Sequence, residues 1–99
     1  MNIAERNDAF RKNIPFSINS RNKMLMTQGI TVSFNDKQIA DVFGAVRDFN
    51  NFNQDNDPWG EHDFGSILIF GKKILWKIDD YQGEDATDLV VTVMLADEY

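Results

Sequence analysis

Apolar positions recur at helical spacing near the N-terminus and again mid-chain, and as alternating or continuous runs elsewhere. Ile3, Phe10 and Ile14 predict a short amphipathic helix over residues 3–13, which Pro15 terminates. The polar stretch "SINSRNK" (17–23) reads as a loop. "MLMTQGITVSF" (24–34) is apolar and β-branched, and predicts strands on either side of Gln28-Gly29, the glycine marking a bulge or hairpin. Asn35 or Asp36 then caps a second helix. In it Ile39, Val42, Phe43, Val46 and Phe49 form an apolar stripe opposite Lys37, Asp41, Arg47 and Asp48.

Residues 50–64 show no periodicity and read as a long connection, a kind of segment that is often functional. "SILIFGKKILWKI" (66–78) predicts a hairpin turning at Gly71-Lys72. It places Ile74, Trp76 and Ile78 on one face and Leu75 and Lys77 on the other. "DDYQGEDATD" (79–88) reads as an acidic loop, and "LVVTVMLA" (89–96), apolar on both faces, as a central strand. Short turns between strands imply antiparallel pairing. The expectation is a small single α+β domain spanning 1–99, an antiparallel sheet of about four to five strands with two helices packed on one face.

Composition narrows the chemistry. The 99 residues contain no cysteine, which excludes a disulfide scaffold, a cysteine nucleophile and a thiolate zinc site. The opening "MNIAERNDAFRK" is charged from its fifth residue and lacks the apolar stretch of a signal peptide. The longest aliphatic–aromatic run, Ile67 to Phe70, is far below membrane-span length, so a cytoplasmic, membrane-free protein is expected. The net charge of −6 is unevenly placed. Residues 1–50 carry seven Lys/Arg against five Asp/Glu, and residues 51–99 carry three against eleven. The acidic half disfavours direct contact with nucleic-acid phosphates and favours a basic protein or nucleoprotein surface.

The densest chemistry lies in "DNDPWGEHDFG" (55–65), where four acids meet the chain's only histidine. Asp57, Pro58 and Gly60 match positions i, i+1 and i+3 of a type I turn, a sufficient structural explanation for half of the stretch. Phe52, Trp59 and Phe64 can then fold back to anchor the loop. Asp57, Glu61, His62 and Asp63 are also a candidate set for a divalent metal. An EF-hand is excluded: counting from Asp55, Trp59 at the fifth position supplies no oxygen and Ser66 stands where a bidentate glutamate is required. His62, with Glu61 and Asp63, is the candidate acid–base group, although an extended chain would turn His62 away from its neighbours. Asp79, Asp80, Glu84, Asp85 and Asp88 form a second acidic cluster. With Asp55, Asp57, Glu61 and Asp63 it would make one negative surface.

"NDAFR" (7–11), "NDPWGEHDFG" (56–65), "WKIDDY" (76–81) and "VTVMLADEY" (91–99) together resemble a bacterial domain-of-unknown-function family, numbered thirty-seven sixty-eight. The resemblance implies a small single-domain bacterial protein and carries no activity with it. It puts weight on Asn56, Asp57, Pro58 and the run from Gly60 to Gly65. The chain departs from the family at Asp80, where relatives tend to show a tyrosine, and at Asp88, where a basic residue is expected. The function expected on these grounds is a small acidic interaction protein. It would bind a basic surface through Asp55, Asp57, Trp59, Glu61, Asp63, Asp79, Asp80, Glu84 and Asp85. By analogy with DNA mimics, it would inhibit nucleic-acid-targeting machinery. The alternative is a metal-dependent enzyme or ligand-binding protein using Asp57, Glu61, His62 and Asp63. A purely structural role for the block is the third possibility.

Overall fold

A computed structural model describes residues 2–82 and 87–99 of the chain. Among them it forms helices α1 (Ile3–Lys12), α2 (Gln28–Ser33) and α3 (Asp36–Asp48), and strands β1 (Lys23–Met26), β2 (Phe64–Ile69), β3 (Lys72–Gln82) and β4 (Thr87–Leu95), with a closing 3₁₀ turn at Ala96–Glu98. The strands make one sheet in the order β1-β4-β3-β2. The β2–β3 and β3–β4 pairs are antiparallel, while β1 runs parallel to β4. The α+β class holds, but the sheet is mixed. A parallel β1–β4 pair needs a long connection, and here it runs through α2, α3, the 50–63 segment and the β2–β3 hairpin.

The helices start where side chains replace missing backbone partners. Asn2 Oδ1 accepts from Glu5 N at 2.8 Å to cap α1. Asn35 and Gln38 exchange side-chain and backbone hydrogen bonds in a capping box that starts α3. The single core lies between the helices and one sheet face. It holds Phe10, Ile14, Ile30, Phe34, Val42 and Val46 from the helical side and Ile74, Trp76, Ile78, Leu89, Val91 and Val93 from the strands. β4 is central, as its apolar run predicts.

Three expectations are corrected. The second half of 24–34 is helix α2, not strand: the carboxylate of Glu98 accepts from Thr27 Oγ1 at 2.6 Å and from Gly29 N at 3.0 Å, supplying a cap from the far end of the chain. Residues 79–82 are not loop but the end of β3, and Asp88 lies in β4. The hairpin turns at Phe70-Gly71, one residue earlier than expected, since Ile69 pairs with Lys72. Both turn residues have positive φ, 52° and 73°, as a type I′ turn requires. The unfavourable conformation of Phe70 is offset by its ring packing on Phe34, centroids 5.8 Å apart.

Candidate functional site

The connection between α3 and β2 has no sheet or helix ladder, so its polar side chains satisfy its backbone. Asn53 Oδ1 accepts from Asp55 N and Asn56 N at 2.9 and 3.0 Å, and Asn56 Oδ1 accepts from Asn53 N at 2.8 Å. Asn56 Nδ2 donates to Asn51 O. The predicted turn is present, with Gly60 N donating to Asp57 O at 3.0 Å and Gly60 at φ 64°. The Asp57 carboxylate then reaches forward to accept from Glu61 N at 3.1 Å and His62 N at 3.3 Å. It is turned inward, with only 6% of its side chain exposed. Pro58 fixes the next φ, and the indole of Trp59 stands at the tip, 86% exposed.

Behind the turn lies a polar chain that spans three elements. The His62 ring stacks on Phe52, centroids 3.9 Å apart with the two ring planes nearly parallel. Its Nδ1 lies 2.8 Å from Asp8 Oδ2 on α1. A carboxylate only accepts, so Nδ1 carries the proton of that bond. Its Nε2 faces Asp57 Oδ2 at 3.6 Å. The other oxygen of Asp8 accepts from Arg11 at 3.2 Å. Arg11 is fully buried and donates to Val46 O and Arg47 O at 2.8 and 3.0 Å, satisfying carbonyls at the C-terminal end of α3. Its guanidinium lies over the Trp76 ring at 4.8 Å and the Phe52 ring at 5.6 Å. Burial lowers the Arg11 pKa, and the Asp8 charge opposes that shift. Asn7, also buried, donates to Glu61 O at 2.9 Å. Gly65 lies against the Trp76 indole, where any Cβ would collide with it.

The sequence-predicted site residues fall into distinct places. Asp57 and His62 meet, and they line an open cleft of about 400 Å³ together with Phe52, Asn53, Gln54, Pro58, Trp59 and Gly60. Asp8 and Asp57 sit on opposite ring nitrogens of His62, so these two carboxylates and the ring do not share a point that one metal ion could occupy. Among the described residues no group of three or more His, Asp or Glu converges as a metal site. Asp55 is exposed, and Glu61 and Asp63 are half-buried. Asp79 pairs with Lys77 at 3.2 Å and Asp80 with Arg6 at 2.8 Å, so neither is an unmatched negative charge. Glu84 and Asp85 lie outside the described residues.

Asn7, Asp8 and Arg11 escaped the sequence-based site, though they belong to the quoted "NDAFR" segment. The signal was present: Asn, Asp and Arg at i, i+1 and i+4 put two buried polar groups and a carboxylate on a helix whose apolar residues are few. What did not show was the partner, since His62 is 54 residues away.

Fold and site together define a small mixed-sheet α+β protein in which an Arg–Asp–His chain, anchored on the buried Arg11, lies behind an exposed tryptophan turn. A model of the family described as "Protein of unknown function (DUF3768)" matches residues 26–98, and the chain belongs to that family. The match begins after α1, so the helix that supplies Asp8 and Arg11 lies outside it. Comparison with curated proteins and with solved structures gave no match.

Proposed function

We propose that this protein is an interaction protein that engages a basic surface of a larger protein or nucleoprotein partner through the Trp59 turn. The observation that carries this reading is the exposure of Trp59 on a turn fixed by Asp57, Asn53, Asn56 and Pro58. A tryptophan in water on a pre-organised loop costs little ordering entropy when it docks, and tryptophan is enriched among residues that dominate binding energy. Glu61 lines a surface cleft with Trp59, and Asp55 and Asp63 lie within four residues of it along the chain. A partner arginine or lysine stacked on the indole would meet both the ring and the carboxylates. Inhibition of nucleic-acid-targeting machinery is one form this binding would take, and it rests on the acidic charge of the second half.

The test is affinity capture from a bacterial lysate with the wild-type chain and with Trp59→Ala, at low and at high salt. The expected result is a basic partner that is retained by the wild type at low salt and lost with Trp59→Ala. An identical set of captured proteins with both chains would sink the proposal. Catalysis or metal binding by Asp57, Glu61, His62 and Asp63 draws less support, because Asp57 is committed to its own loop's N–H groups and His62 Nδ1 to Asp8.

A further inference from the structure

We propose that two copies of this chain pair along the free edge of β2, antiparallel, joining their four-stranded sheets into one. The inference is independent of the Trp59 proposal. β2 is the outer strand of the sheet on that side. Ile78 N donates to Asp63 O at 2.8 Å, so residues 63, 65, 67 and 69 direct their backbone groups to β3. Phe64, Ser66 and Leu68 therefore direct theirs outward. Among the described residues those outward groups have no partner.

Natural sheets guard such edges with charge, proline or bulges. "FGSILI" has none of these, in a chain that is 26% charged, and Leu68 is 78% exposed on it. The occupant is specified by charge. At the hairpin end of β2 stand the exposed Lys72 and Lys73, the first residues of β3, and β2 starts beside Glu61 and Asp63. Neither Lys72 nor Lys73 forms an ion pair among the described residues. An antiparallel second copy brings the basic end of each strand to the acidic end of the other, twice, about a two-fold axis. Identical outward donors and acceptors then match one another. The dimer displays two Trp59 turns and doubles the valency of the surface for any partner.

The experiment is light scattering after size exclusion on the full chain at about 100 µM, a concentration where a micromolar dimer is filled. A mass of twice 11.4 kDa is expected for the wild type. Ser66→Pro removes an outward N–H and leaves the β3 ladder intact, so it is expected to give a folded monomer by circular dichroism. Lys72→Glu with Lys73→Glu turns each attraction into repulsion and is expected to weaken the dimer at least about tenfold. Both lysines are exposed, so this second variant decides the matter even if Ser66→Pro does not fold. A monomeric wild type, or a dimer indifferent to the lysine substitutions, overturns the proposal.

Discussion

Gly65, Asp8 and His62 show how single residues hold this site. Gly65 is a glycine because the Trp76 indole occupies the space a Cβ would need. Gly65→Ala is expected to cost about 1–3 kcal/mol, the usual range for overpacking, read as a lower midpoint in urea with unchanged slope. Asp8 accepts from a fully buried arginine with one oxygen and from His62 with the other. Asp8→Ala leaves the Arg11 charge buried with only carbonyl partners. Since a quarter of the Asp8 side chain is exposed, the expected loss is about 3 kcal/mol, the low end for breaking a buried pair. Trp59→Ala, by contrast, removes a side chain in water and is expected to change stability by less than about 0.5 kcal/mol. The pair of variants separates the residue that builds the site from the one it presents. The left-handed φ of His62, 54°, is a further mark of a position fixed by its surroundings.

Among the elements, α2 is the most instructive. Its six residues, "QGITVS", have β-branched character, and their own side chains do not cap the helix. The Glu98 carboxylate does so, accepting from Thr27, Leu95 N and Gly29 N. The Thr27 hydroxyl, then the backbone N–H of Leu95, lower the Glu98 pKa. A carboxylate with a depressed folded pKa stabilises the folded state above the unfolded carboxylate range, near ~4.3, and the contribution is lost as pH falls through the folded value. Glu98→Gln is therefore expected to lower the thermal midpoint at pH 7 and to match the wild type in strong acid. Hydrogen exchange at the α2 amides reads the same effect locally. The α3 capping box is a local counterpart: Asn35→Ala is expected to cost about 1 kcal/mol at any pH where the fold holds.

At the scale of the whole molecule, one sheet face is covered by helices, and among the described residues both outer strands, β1 and β2, keep an unpaired edge. No helix among the described residues is long and apolar enough to cross a membrane. Within the acidic half, Arg6 pairs with Asp80 and Lys77 with Asp79. Asp55, Glu61 and Asp63, which flank Trp59 along the chain, form no ion pair among the described residues. Partner binding is accordingly expected to weaken with salt, and more so with Asp55→Asn, Glu61→Gln and Asp63→Asn combined than with Asp79→Asn and Asp80→Asn. A dissociation constant measured from 50 to 500 mM salt for both combinations checks this.

The helices α1 and α3, the β2–β3 hairpin and the centrality of β4 were legible in the sequence, because each follows from spacing and capping within a dozen residues. So was the Asp57–Gly60 turn, whose chemistry is local and whose side chains bond their own backbone. The rest depended on contacts that sequence distance hides. Whether "QGITVS" coils or extends was decided by a carboxylate some seventy residues away. The direction of β1 is set by its pairing with β4, a partner strand far along the chain. Asp57 reads on paper as a ligand and is in fact a buried acceptor. His62 reads as a candidate acid–base group beside Glu61 and Asp63, and the structure sets it between Asp8 and the Phe52 ring. Spacing determines which residues share a face of one element; only packing determines which faces meet, because that depends on burying all of them at once.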